Sequence, residues 1–383
     1  MGSTVTSPPA GGHTPLKLAY LGPEIDHREN LRECLSALGV ELLVLPDSRT
    51  WEGKSQGDLQ APIRLSRVKR LWTRWRGQFS GTNNPGYLAD VLGAIDENRV
   101  DCILGYWGTA VLGDLIAVKR QRPNVRTVLN VLCHPTGLTR LKVALQNWYF
   151  RRSLKFLDAI VASSGVMKAY LEKRVCHGRR PPILISPPCY AQAFRPRERK
   201  SDCELVPNVL FLGRTDWRRA QASDNVETFL DQLAREQVHV FHHRSPESDA
   251  VSPYRHSFEY MSLRDAETYA TQFDAALIVY NLGSCERTDR FEVTVPDRLI
   301  ASVTAGIPIA IPARGYEACK EYLKDYQAVI EFDSASDLAA KLRDRQSLHA
   351  LKSLALQNSG NYLGEPHVAQ LLKAIWASCG SRS

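Results

Sequence analysis

Pro296-Asp297-Arg298-Leu299-Ile300-Ala301-Ser302-Val303-Thr304-Ala305-Gly306-Ile307-Pro308, followed by Ile309-Ala310-Ile311, reads as a helix that starts at a proline, stops at a glycine and runs into an apolar strand. Proline fits the first position of a helix because its missing N–H has no partner there, and glycine takes the left-handed conformation that ends one. Asp297 falls in the first turn, where the helix dipole favours it, and Arg298 can reach an anion held at the same helix end. Taken alone, the stretch is one helix–strand step of an α/β sheet.

The same step recurs on both sides of it. Upstream, strand Asn208 to Gly213, helix Asn225 to Glu236, strand Val238 to Phe241, helix Leu263 to Gln272 and strand Ala275 to Tyr280 lead into it, and strand Ala328 to Glu331 follows. The first half begins with strand Leu16 to Gly22, and Leu31, Cys34, Leu35 and Leu38 then mark a helix by their i, i+3, i+4, i+7 spacing. Strands Val40 to Leu45, Cys102 to Tyr106, Thr127 to Leu132 and Ala159 to Ala162 follow, with helices around Val111 to Lys119 and Val143 to Leu154. Short apolar strands alternating with helices predict parallel sheets covered on both faces. The fold class expected is therefore α/β, with two doubly wound Rossmann-like domains facing a cleft into which the carboxyl ends of both sheets open.

Arg179 to Pro207, rich in Arg, Pro and Ser, reads as the linker between the halves. The predicted organisation is a tail over 1–15, a first domain over 16–185 that takes the acceptor, a second over 186–365 that takes the donor, and a C-terminal helix within 366–383 packing back on the first domain. A chain of 383 residues with 44% hydrophobic and 23% charged residues has the composition of a globular enzyme and excludes bulk disorder. Its apolar runs are broken within a few residues, far short of the roughly 20 that a membrane-spanning helix needs. Nine cysteines without a C-x-x-C pair predict packing thiols rather than a disulfide frame or zinc site, and the tail lacks a secretory leader's apolar stretch, so a cytosolic protein is expected.

The chemistry lies at strand exits. Phe211-Leu212-Gly213-Arg214, with Arg218 and Arg219, follows a strand and precedes a helix. A glycine there lets a ligand approach the backbone, the helix offers free N–H groups, and arginines supply fixed cationic donors, which together suit a diphosphate. His134 follows the strand Thr127 to Leu132 at the carboxyl edge, where it can meet a sugar hydroxyl or cap local backbone. His242-His243 lack a third ligand at a recognisable spacing, so no metal site is expected.

In order and spacing these segments resemble the retaining glycosyltransferases of the GT-B fold, family four (glycosyl transferases group 1), over nearly the whole chain from Leu16 to Trp376. Pro296 to Pro308 is similar to that family's P-x-K-x-x-E-Y-x-A-x-G-x-P helix, and Gly213-Arg214 with Arg219 to its G-R-x-x-x-x-K pyrophosphate loop. Leu157 to Ser164 and Ile185 to Phe194 are weaker echoes. The resemblance implies transfer of a sugar from a nucleoside-diphosphate donor to a glycan, lipid-linked or other acceptor with retention. It requires no cofactor beyond that donor substrate, and the lack of any D-x-D fits a metal-free mechanism. It implies catalytic roles for His134, Arg214 and Arg219, and donor contacts from Gly22, Gly213, Arg214, Arg219, Glu292, Asp297 and Arg298.

The chain also departs from the pattern. Ala301 stands where the family carries the glutamate that holds the ribose, Glu292 is out of register with the other family acid, and Gly22-Pro23-Glu24-Ile25 lacks paired glycines. A degenerate protein that binds a sugar nucleotide or glycan without turnover is the alternative, and a sugar-nucleotide epimerase of the same fold a third reading.

Net charge is +8, and two windows of the first half hold only cations: Leu59 to Ala89, with Arg64, Arg67, Lys69, Arg70, Arg74 and Arg76 among Trp72 and Trp75, and Leu115 to Leu157. Basic residues interleaved with tryptophan suit an anionic membrane surface, and an ordinary packed amphipathic helix is the other reading. Nucleic acid is not expected, since no recognised module accompanies the charge.

Overall fold

The computed structural model describes residues 17–23, 26–46, 85–106, 108–178, 181–213, 222–244, 252–259 and 261–377. They form two six-stranded sheets in which every pairing is parallel. The first holds β1 (Leu18–Leu21), β2 (Leu42–Val44), β3 (Cys102–Tyr106), β4 (Arg126–Val131), β5 (Ala159–Ala162) and β6 (Ile183–Ile185), in the order β2-β1-β3-β4-β5-β6. The second holds β7 (Asn208–Phe211), β8 (His239–His243), β9 (Arg255–Phe258), β10 (Ala275–Leu277), β11 (Ile309–Pro312) and β12 (Val329–Phe332), in the order β12-β11-β10-β7-β8-β9. Strand order therefore reverses between β1 and β3 in one sheet and between β7 and β10 in the other. Such reversals open a crevice at the carboxyl ends of the strands.

Each sheet is covered on both faces, as the side-chain alternation of a buried strand requires. On β1, β3 and β5, Ala19, Leu21, Ile103 and Ile160 join one cluster while Leu18, Tyr20, Cys102, Leu104 and Val161 join another. In the second sheet Val209, Phe211, Ala275 and Leu277 face one core, and Leu210, Ala276, Ile309 and Ile311 the other. Helix Gly364–Ala377 returns to the first sheet, where Leu371, Leu372 and Ile375 pack with Leu18, Tyr20, Leu31 and Leu35.

Two edge strands differ from the sequence reading. β6 lies inside the stretch read as linker, where prolines flank a strand of only three residues and hide its apolar signal. β9 escapes an apolar scan because it is polar: the buried Arg255 side chain pairs with Glu227 at 2.8 Å and Asp231 at 2.6 Å on the neighbouring helix.

Several contacts join the halves. Glu321 of the second caps the helix Gly165–Leu171 of the first, accepting from the Gly165 and Val166 N–H groups at 2.8 and 2.9 Å. Arg140 meets Glu286 at 3.2 Å, and the Arg287 N–H donates to the Leu138 carbonyl at 3.1 Å.

Candidate functional site

β7 and β10 end side by side at the second sheet's reversal point, and helix Asp297–Ala305 begins over them. Pro296 holds the extended entry to that helix, and Gly306, at φ 69°, closes it in the left-handed region. Leu299, Ile300 and Ala301 bury the inner face, which fixes Arg298 on the turn facing the strand ends. The Arg298 guanidinium lies 4.0 Å from the centre of the Tyr280 ring and 5.1 Å from that of Phe211, and donates from Nη2 to the Val279 carbonyl at 2.9 Å.

Gly213 is what lets it lie there. A Cβ on Gly213 would fall 2.2 Å from Phe211 Cζ and 2.5 Å from Arg298 Nη1, inside any real contact distance. Arg298 has no carboxylate within ion-pair distance among the described residues, and its buried Nε has no hydrogen-bond partner. A cation beside the positive end of a helix, with aromatic faces as its main compensation, is an environment that a bound anion completes.

Asp297 joins this site to the first half. Its carboxylate meets His27 Nε2 at 2.9 Å, at the start of helix Asp26–Ala37. His27 is buried, whereas 71% of the Asp297 side chain is open to the cleft. Surrounding protein acts to raise the Asp297 carboxyl, but the His27 imidazole and Arg298 outweigh it and hold the group below its ordinary value.

The other predicted residues divide. Arg214 and Arg219 lie outside the described residues, as do Arg64, Arg67, Lys69, Arg70, Arg74 and Arg76. Gly22 ends β1 at the first sheet's reversal point, where a Cβ would meet the Tyr106 carbonyl oxygen at 3.0 Å and Tyr20 Oη at 3.1 Å. The strand exits approach so closely there that a side chain would have to push its neighbours apart by a few tenths of an ångström. Glu292 makes no ion pair with the Arg298 group. Its carboxylate lies against Gly315, accepts from the Glu317 N–H at 3.5 Å, and lines a cavity of about 310 Å³ with Tyr170, Arg287 and Asp289.

His134 is buried to 1% exposure. Its Nε2 donates to Asn147 Oδ1 at 2.8 Å, while Asn147 Nδ2 donates to Tyr170 Oη at 3.1 Å. Burial pushes its pKa down to about 4, only partly offset by Asn147, so the ring is neutral at pH 7. Nδ1 has no partner and is an acceptor. The one N–H of this neutral ring is already given to Asn147, and its acceptor Nδ1 is enclosed by protein.

Three contributors escaped the sequence reading. Tyr280, the end of a predicted strand, and Phe211, in the predicted diphosphate loop, matter through their ring faces, because Arg298 lies between them. His27 reaches Asp297 across 270 residues, a contact that no local pattern signals. The acid-free window Leu115 to Leu157 also finds acids in space. Lys119 pairs with Asp158 at 2.7 Å, Arg122 with Asp96, and Arg140 with Glu286. Arg120 and Lys155 flank the Phe156 ring.

Two six-stranded parallel sheets, each covered by helices on both faces and each with a reversal in strand order, match the GT-B fold. Residues 26–189 match the family described as Glycosyl transferase 4-like domain. Solved structures of similar fold include a sucrose-phosphate synthase from Thermosynechococcus elongatus, at 12% identity and TM-score 0.65, the alignment covering 96% of this chain and 100% of that one. HepE from Anabaena, solved in complex with UDP, aligns at 12% identity and TM-score 0.58 over 94% of this chain and 100% of that one. An α,α-trehalose 6-phosphate synthase from Burkholderia multivorans aligns at 11% identity and TM-score 0.60, over 97% and 100%. No curated protein sequence matches the chain.

Proposed function

We propose that the protein transfers a sugar, with retention, from a nucleoside-diphosphate donor to a glycan or lipid-linked acceptor. The observation that carries this is Arg298, a cation without a carboxylate partner at the N-terminus of a helix and the reversal point of the second sheet. In this reading the donor diphosphate lies against Arg298, Gly213 and the helix N-terminus, with Arg214 and Arg219 completing the site. As the glycosidic bond to the diphosphate breaks, these groups stabilise the charge that develops on the departing oxygen.

Among the described residues no group of three or more His, Cys, Asp or Glu is placed to hold a metal ion. In this reading the arginines carry the leaving-group charge, as the lack of a D-x-D in the sequence also suggests. The test is UDP binding, read by calorimetry, in the wild type and Arg298→Gln. Losing a charge-assisted contact costs about 1.5 to 3 kcal/mol, so affinity is expected to fall at least about tenfold. Unchanged affinity in a folded variant overturns the assignment. Turnover, once a donor is matched, is expected to continue in excess chelator.

Ala301 supports the second reading, binding without turnover. It is 2% exposed within the apolar core, so that turn offers no acid to a ribose. Release of free sugar from bound donor separates the two.

Among the described residues no helix is long and apolar enough to cross a membrane. We further propose that the first half docks on an anionic membrane through its acid-free windows Leu59 to Ala89, which holds Arg67, Arg70 and Arg74, and Leu115 to Leu157. Co-sedimentation with anionic but not zwitterionic vesicles, weakened by salt and by changing those three residues to Glu, is the expected result.

A further inference from the structure

A cavity of about 530 Å³ lies at the C-terminal end of helix Asp297–Ala305. Arg195, Arg197 and Arg199 line it, together with Ala193, Pro196, Ala305 and the half-exposed Leu356. We propose that this cavity binds a soluble phosphate monoester with a sugar-sized body, held by the three arginines with its body on the apolar floor. The inference goes beyond the donor reading and does not depend on it.

Three observations carry it. The segment Arg195-Pro196-Arg197-Glu198-Arg199-Lys200 places an arginine at every second position, and among the described residues none of these three arginines pairs with a carboxylate. Two are held in place by the fold. Arg195 Nη2 donates to Ser359 Oγ at 2.7 Å, and Arg199 donates to the Ala305 and Gly306 carbonyls at 3.2 and 3.4 Å. Among the described residues Arg197 has no hydrogen-bond partner, which leaves its whole planar fork for a ligand.

The pre-set donors mean that little ordering is left to do on binding. Burial, partly opposed by Tyr326 and Asp202, lowers the Arg199 pKa from its ordinary value, with the neighbouring Arg195 adding a smaller push the same way. The volume falls in the range of small-ligand pockets, and a floor of Ala193, Pro196, Ala305 and Leu356 gives a sugar ring a surface to cover.

The test uses the full chain and glucose 6-phosphate, with inorganic phosphate and glucose as comparisons, read by calorimetry and by thermal shift. Glucose 6-phosphate is expected to bind and raise the melting temperature, with glucose inert. Arg197→Gln is expected to weaken binding at least about tenfold while leaving the ligand-free melting temperature unchanged, since Arg197 holds no other group. Arg298→Gln is expected to leave this binding intact, which separates failure here from failure of the donor reading.

A parallel arm uses phosphatidylcholine vesicles with and without phosphatidic acid, whose headgroup is also a phosphate monoester. Capture by phosphatidic acid alone, lost in Arg197→Gln, keeps the phosphate site and overturns the soluble source. No response to either probe, or a response that both Arg197→Gln and Arg195→Gln leave unchanged, overturns the site.

Discussion

At the residue scale, burial decides what a side chain can do. His134 follows a strand and Arg298 starts a helix facing strand ends, yet one is a buried neutral ring held by Asn147 and the other a guanidinium lying between two aromatic faces. The His134 pKa, depressed from an ordinary 6.5 to about 4, has a definite linkage sign. Between these values the unfolded chain binds a proton that the folded chain refuses, so stability is full above pH 6.5 and falls as pH drops toward 4. The loss amounts to roughly 3 kcal/mol over the whole window. His242, His243 and His367 are also lowered by burial and add to the same slope. Urea unfolding at pH 7 and pH 5 is expected to show lower stability at pH 5, and His134→Gln is expected to reduce that difference.

At the scale of the element, the segment 296–308 shows how sequence writes a helix and its ends together. Pro296 and Gly306 are legible as start and stop, and the structure places them at those positions. Gly306 is more than a stop. At φ 69° an alanine is strained, and its Cβ would lie 3.2 Å from Ser359 Oγ, the atom that holds Arg195. Gly306→Ala is therefore expected to cost about 1 to 2 kcal/mol, measured by urea unfolding, and to disturb the arginine cavity on that side. The polar edge strand β9 shows the converse. Its pairing depends on carboxylates of another element receiving Arg255, so periodicity within its own four residues carries no strand signal.

At the scale of the whole molecule, the last helix closes the first half's core. Leu371, Leu372 and Ile375 are at most 6% exposed, and burying three such side chains contributes roughly 5 to 9 kcal/mol. That is comparable to the total stability of an ordinary domain. A chain ending at Leu363 is expected to lose cooperative unfolding of the first half and to bind a hydrophobic dye at the exposed Leu18, Tyr20 and Leu35 face.

The sequence by itself determined the alternation of buried strands and helices, and with it two parallel sheets, because a strand covered on both faces must be apolar at nearly every position. It also marked Gly213, Asp297 and Arg298, since glycine, helix start and guanidinium each carry a local reason to stand where they do. Tertiary structure alone decided what surrounds them. Arg298 between Phe211 and Tyr280, His27 against Asp297, Glu321 capping a helix of the other half and acids answering an acid-free window are all contacts between residues distant in sequence. Local pattern reflects which face of an element is buried. It does not record which distant element buries that face, and the charge and reach of each site residue depend on that distant partner.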